Sequence, residues 1–329
     1  MDYHDANRLA WNAGESHHRE AVFDMVLHQL KTPGLSCFDE YALTGLEGLD
    51  FKGKTVAQLA CNNGREVMSL VKLGAARGVG FDISETFIEQ GRELAEKSEI
   101  ECELFATDIT NIEVQFNGQF DIVLVTVGAL GWFEDLTVFF GKVVELLKPG
   151  GDLFIYEQHP FTEMLDLKAA VEAPRLTGDY FKSEPYRDTG GLDYYSGEFY
   201  DSPPAYWFVH TFSTAMQAII DQGMQISCIE EFEHDISNNW PHLSEAVLRL
   251  PLCYQLTAKK IFSSRHYFFE KFCRPTFGVF PELFFLICHY AEKLTHQLIR
   301  QIAFDIEIGR DFYTCCRRNF AKQSTGILR

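Results

Sequence analysis

Four short segments of this chain combine turn-prone residues or single carboxylates in a way that could grip a small ligand. Ala60-Cys61-Asn62-Asn63-Gly64 is a tight turn that lets backbone approach a ligand closely. Asp82, followed by Ile83, offers a carboxylate able to accept hydrogen bonds from both hydroxyls of a ribose. Asp108-Ile109 pairs a polar acceptor with an apolar face on which a flat ring could lie, and Thr126-Val127-Gly128 ends in a glycine. Glu157, His159 and His210 are the candidate acids or bases, and Pro160 holds His159 in an extended backbone. Each has a plain structural alternative: Asp82 could simply open a helix, and Glu157-Gln158-His159 could form a hydrogen-bonded network. Their order along the chain argues for a shared site.

The elements that must position these residues alternate. Thr55–Ala60 is an apolar run, followed by Val67, Leu70, Val71 and Gly74 at helical spacing. Gly78–Phe81 is a second strand, with Ser84 as the N-cap of a helix carrying Phe87, Gly91 and Leu94. Glu103–Ala106 and Phe120–Val125 are further strands; a helix over Leu136–Leu147 stops at Pro149-Gly150-Gly151, and Asp152–Glu157 follows. A helix with Phe212, Met216, Ile219 and Ile220 then precedes two strand-like runs, Gln225–Glu231 and Cys253–Ala258, read as an antiparallel pair closing the sheet edge. Strand–helix alternation predicts a parallel sheet with helices on both faces, and such sheets bind ligands beyond the carboxyl ends of their strands. All four segments fall at such ends.

Composition bounds the partners. The 329 residues carry a formal net charge of −18, which argues against a nucleic-acid partner, and no basic stripe is visible. The nine cysteines form no CxxC and no Cys/His cluster, so no metal site is expected. Asp2, Asp5 and Arg8 stand where a leader would be apolar, and no run suits a transmembrane segment; a cytoplasmic protein is expected. Three zones separate: a polar N-terminal cap (1–50) with a short amphipathic stretch around Ala21–Leu30, the alternating domain (51–260), and a Phe-rich tail (261–329). In the tail Leu283, Ile287, Tyr290, Leu294, Leu298 and Ile302 predict a helix from Pro281, read as an extension that docks on the body, forms a homodimer or contacts a membrane surface. An aromatic insertion, 161–208, is long enough to be functional.

Residues 51–158 resemble the class I S-adenosylmethionine-dependent methyltransferases, more loosely to Lys260. The resemblance rests on Val56-Ala57-Gln58-Leu59-Ala60-Cys61-Asn62-Asn63-Gly64, on Asp82, on Asp108-Ile109 and on Leu147-Lys148-Pro149-Gly150-Gly151. It implies a Rossmann-like seven-stranded sheet, mostly parallel with an antiparallel edge strand. It also implies S-adenosyl-L-methionine held by Trp11, Gln58, Ala60, Cys61, Asn62, Gly64, Asp82, Ile83, Asp108, Ile109, Thr126, Val127 and Gly128. The family usually has an acid at the position of Gln58 and glycines at those of Ala60 and Asn62. The implied activity is methyl transfer to an oxygen or nitrogen atom of a small molecule, with the insertion forming part of the acceptor pocket and the N-terminal stretch, Trp11 and Asn12 foremost, folding over the cofactor. The altered turn keeps a second class open, a catalytically inactive cofactor-binding regulator. A nicotinamide dinucleotide fits less well, because the turn lacks G-x-G-x-x-G.

Overall fold

The computed structural model describes residues 2–166, 175–195, 197–237, 243 and 249–261. The helix expected from Pro281, and the contacts expected of the tail, lie outside the described residues. Helices α1 (Tyr3–Lys31) and α2 (Glu40–Gly48) precede β1 (Thr55–Leu59), α3 (Arg65–Lys72), β2 (Arg77–Asp82), α4 (Glu85–Ser98) and β3 (Glu103–Ala106). Then come β4 (Phe120–Thr126), α5 (Leu136–Leu146), β5 (Leu147–Gln158), β6 (Tyr186–Asp188) and β7 (Ala205–Trp207). The described chain closes with α6 (Phe212–Asp221), β8 (Met224–Phe232) and β9 (Cys253–Lys260). Among the described residues, no helix is long and apolar enough to cross a membrane.

Seven strands form one sheet in the order β3-β2-β1-β4-β5-β9-β8, while β6 and β7 pair apart from it. Strands β1 to β5 are parallel, and β9 runs antiparallel to both β5 and the outermost β8. The expected Rossmann-like architecture is therefore present, with the reversed strand seated just inside the edge. From β1 the chain winds one way through β2 and β3, then returns through β4 and β5. That reversal opens a crevice beyond the carboxyl ends of β1 and β4.

Covering on both faces explains why the central strands read as continuous apolar runs. Ile122, Val123, Leu124 and Val125 are fully buried, one face packing with Phe81, Phe120 and Phe139 and the other with Leu46, Phe51 and Leu70. Glycines in β2 bring α3 close: a Cβ at Gly78 would lie 2.5 Å from Val71 Cγ2. Ser84 caps α4 as expected, its hydroxyl accepting the Phe87 N–H at 3.3 Å.

Two elements differ from the sequence pattern. The amphipathic stretch over 21–30 is only the end of a 29-residue helix, α1. Before Val22, α1 buries polar Asn7 and His18 beside Ala10 and Gly14, so no apolar stripe announces it. Strand β5 begins at Leu147 rather than at Asp152. Phe120 pairs with Leu147 and Ile122 with Asp152, so Pro149-Gly150-Gly151 forms a bulge within the pairing rather than a stop before it.

Candidate functional site

The turn after β1 is built from left-handed backbone. Ala60 (φ 51°), Asn62 (φ 52°) and Gly64 (φ 71°) all have positive φ, and Ala60 has neither a missing Cβ nor a local side-chain hydrogen bond to ease it. Asn62 does better, because its Oδ1 accepts the Asn63 N–H at 2.9 Å. Asp82 fastens the turn from the end of β2: one carboxylate oxygen accepts Asn62 N–H at 2.7 Å, the other Ser84 N–H at 2.9 Å. Burial outweighs these donors and pushes the Asp82 carboxyl up to about 6.

Gln58, in β1, is buried with its amide fully engaged. Its Oε1 accepts Val67 N–H in the first turn of α3 at 3.1 Å, and Nε2 donates to Thr126 Oγ1 at 2.8 Å. Nε2 also lies 3.3 Å from Glu66 Oε2. The carboxylate missing at position 58 thus reappears beside it, carried by α3. Glu66 in turn takes Arg65 Nε at 2.8 Å, and Arg65 donates to the Tyr195 hydroxyl at 2.8 Å.

Asp108 meets α1. His4 Nδ1 lies 2.5 Å from Asp108 Oδ2, and Thr110 N–H donates to Oδ1 at 2.8 Å. The hydrogen bond to Asp108 outweighs burial and raises the His4 imidazole above its usual range. Burial alone would raise Asp108, but its bonds to His4 and Thr110 leave it below the usual range.

One cavity of about 710 Å³ joins these groups. Its wall contains every residue expected to hold the cofactor except Gly64, which instead starts α3. Trp11 lines it; Asn12 does not, being bonded to Glu85 and Ser84 at the start of α4. The insertion contributes Leu165, Tyr186, Leu192, Tyr194, Tyr195, Ala205 and Trp207 to the far wall, and α1 is joined to it by a two-way bond: Asn7 Nδ2 donates to Tyr206 O at 3.0 Å and Oδ1 accepts Tyr206 N–H at 2.7 Å.

The three candidate acids or bases are not in that wall. Glu157 is held by main chain: its carboxylate accepts N–H from Gly128 (2.5 Å), Ala129 (2.8 Å), Leu130 (3.2 Å) and Gln158 (2.8 Å). His159 is bonded on both nitrogens, Nε2 to Glu231 at 2.9 Å and Nδ1 to Phe161 N–H at 3.1 Å. His210 Nε2 is bonded to Phe133 O at 2.8 Å. Burial lowers both imidazoles, so they favour the neutral form in these bonds. All three residues shape the loops around the cavity.

Sequence reasoning passed over other wall residues: His4, Asn7, Arg65, Glu66, Trp132, Phe133 and Glu163. Glu66 had one available signal, since an uncharged Gln58 leaves room for an acid from the next element. Glu163 had none, because the irregular turn Pro160–Met164 has no periodicity to read.

Comparisons with known proteins agree with this geometry. Residues 56–151 match a family model described as a methyltransferase domain. Ribosomal protein L11 methyltransferase of Aeromonas hydrophila is 33% identical over 149 residues, covering 44% of each chain; that of Tolumonas auensis is 33% identical over 111 residues, 33% of this chain and 35% of the other. The chain thus spans less than half the length of these curated relatives. Among solved structures, geranyl diphosphate C-methyltransferase of Streptomyces coelicolor A3(2) superposes with a TM-score of 0.53 at 13% identity, over 79% of this chain and 99% of that one. An S-adenosylmethionine-dependent methyltransferase of Mesorhizobium loti gives 0.50 at 22% identity, over 66% and 96%. At these identities the superpositions establish the fold.

Proposed function

We propose that this chain, whose residues 56–151 match the methyltransferase-domain family model, transfers a methyl group to an oxygen or nitrogen atom of a small molecule. The enzyme class and the donor, S-adenosylmethionine, are those of the domain; the acceptor is the proposed part. The single observation that carries the reading is Asp82, a buried carboxylate at the end of β2 that lines the cavity and also anchors the turn after β1.

The residues present fit the donor. Asp82 keeps a lone pair on each oxygen for two hydroxyl donors. Ile83 and Ile109 offer an apolar seat for a ring, and Asp108 an acceptor for its amine. Glu66 supplies negative charge for an ammonium next to the Ala60–Gly64 turn. When bound, the sulfonium supplies an electrophilic methyl, and in-line displacement depends on alignment more than on covalent help. The chain's own contribution is therefore a fixed wall: Glu157 holds residues 128–130, Gln58 ties β1 to β4 and α3, and the insertion faces the acceptor.

A small acceptor is favoured because the cavity is within the range of ligand pockets, roughly 300–1,000 Å³, and has an aromatic far wall. Calorimetry with the donor and its thioether product, S-adenosylhomocysteine, followed by a product assay over metabolite and protein panels, tests the reading. Donor binding with turnover on small molecules supports it; turnover only on proteins, or no donor binding, overturns it.

A further inference from the structure

Among the described residues, the acceptor wall holds a carboxylate with no cation beside it. Glu163 lines the cavity, and the hydrogen bond it makes among those residues is from Trp207 Nε1 to Oε1 at 2.9 Å. Burial pushes its carboxyl upward, and no positive group among the described residues opposes that. The arginine of the described cavity wall, Arg65, is already held by Glu66 at 2.8 Å. Glu163 is half-buried, and a carboxylate partly withdrawn from water without a counter-charge is unfavourable in its ionised form. A ligand that brings a positive charge would recover much of that cost.

The surroundings of Glu163 suit an organic cation. The Trp207 indole is pressed against Gly131, where an added Cβ would lie 2.3 Å from Cε2. Trp132 stands edge-on to Trp207 with ring centroids 4.9 Å apart, and Trp11 edge-on to Trp132 at 5.2 Å. Indole faces attract ammonium groups, the more so where water is excluded. A carboxylate bonded to one indole, in a wall that holds two more, rejects anions and gives a neutral hydroxyl nothing that water does not.

Building on the methyltransferase reading above, we infer that the acceptor is an alkyl or arylalkyl amine that enters as its ammonium, pairs with Glu163 and lies against Trp207 and Trp132. Transfer then requires the free base. The ammonium gives one proton to Glu163, the nitrogen lone pair forms the new N–C bond, and the electron pair of the breaking S–C bond stays on sulfur. The product is a charged N-methylammonium and a neutral thioether, so charge is conserved.

The test uses the full chain saturated with S-adenosylhomocysteine and titrated calorimetrically with phenethylamine, phenethyl alcohol and phenylacetate. The expected result is binding of the amine at least tenfold tighter than the alcohol, with phenylacetate weakest. Glu163→Gln should erase the amine's advantage while S-adenosylhomocysteine affinity stays within twofold, which also reports that the variant is folded. Equal affinities, an advantage that survives in Glu163→Gln, or no binding of the amine would overturn the inference. Failure of S-adenosylhomocysteine itself to bind would sink the methyltransferase reading and this inference with it.

Discussion

Glu157 Oε2 lies 2.8 Å from the Ala129 N–H, so a side chain at the end of β5 fixes the loop that follows β4. Three consecutive N–H groups, at 128–130, converge on this one carboxylate. Glu157→Gln keeps the shape but replaces one acceptor oxygen with a donor, leaving buried N–H groups unpaired. Stability should fall by about 2–4 kcal/mol, at about 1–3 kcal/mol for each orphaned group. Urea unfolding measures it. A variant as stable as the parent but slow in turnover would instead make Glu157 a proton-transfer group.

Asp82 sets a pH dependence. A carboxylate accepting sugar hydroxyls must be ionised, and burial has lifted its pKa to about 6. Affinity for S-adenosylhomocysteine should therefore be full above about pH 7 and decline as pH drops through about 6. Asp82→Ala should weaken binding roughly 10–100-fold, charged hydrogen bonds being worth about 1.5–3 kcal/mol. Asp82→Asn should flatten the profile between pH 5 and 8. Calorimetry across that range checks both, and a slope unchanged in Asp82→Asn would assign it to another group.

Ala60 carries strain that glycine would relieve. Left-handed backbone costs an ordinary residue about 1–2 kcal/mol, offset in part by the greater freedom of glycine when unfolded. Ala60→Gly should raise unfolding free energy by up to about 1 kcal/mol, and Asn62→Gly by less, since the Asn62 side chain already supports its conformation. Thermal melts of the two variants compare them directly.

The His4–Asp108 pair gives a stability difference of known sign. His4 is raised on folding, so its contribution is fully present below the unfolded value of about 6.5 and is lost as pH rises through the higher folded value. Asp108 is lowered, so its contribution holds above its ordinary value and is lost only as acid reaches the folded one. Unfolding free energies of the parent and His4→Gln should differ by about 0.5–1 kcal/mol near pH 5.5 and converge near pH 9, a modest figure because the pair is partly exposed. A gap that persists at pH 9 would point to packing instead.

What the sequence made legible was whatever repeats or punctuates. The strands β1 to β5 announced themselves as apolar runs, and Asp82 and Asp108 stood out because each follows one. Contacts made across the sheet edge left no such trace. Nothing in the order of residues brings His4 to Asp108, 104 positions away, or Trp207 to Glu163. The acids and bases beyond β5 were legible as residue types, but only their hydrogen bonds reveal that Glu157, His159 and His210 are occupied by main chain and by Glu231. Gln58 likewise reads as a lost charge until Glu66 is seen beside it.

The paired bonds between Asn7 and Tyr206 join two stretches of chain 199 residues apart above the same chamber. Loss of that one amide would take a donor from Tyr206 O and an acceptor from Tyr206 N–H at once, leaving the Tyr3 ring against Tyr206 and Phe208 to hold the seam. Position 7 thus ties α1 to the β6–β7 pair without being part of the seven-stranded sheet. Variation at position 7 would therefore change how firmly that roof is fastened while the carboxylates at the strand ends stay in place.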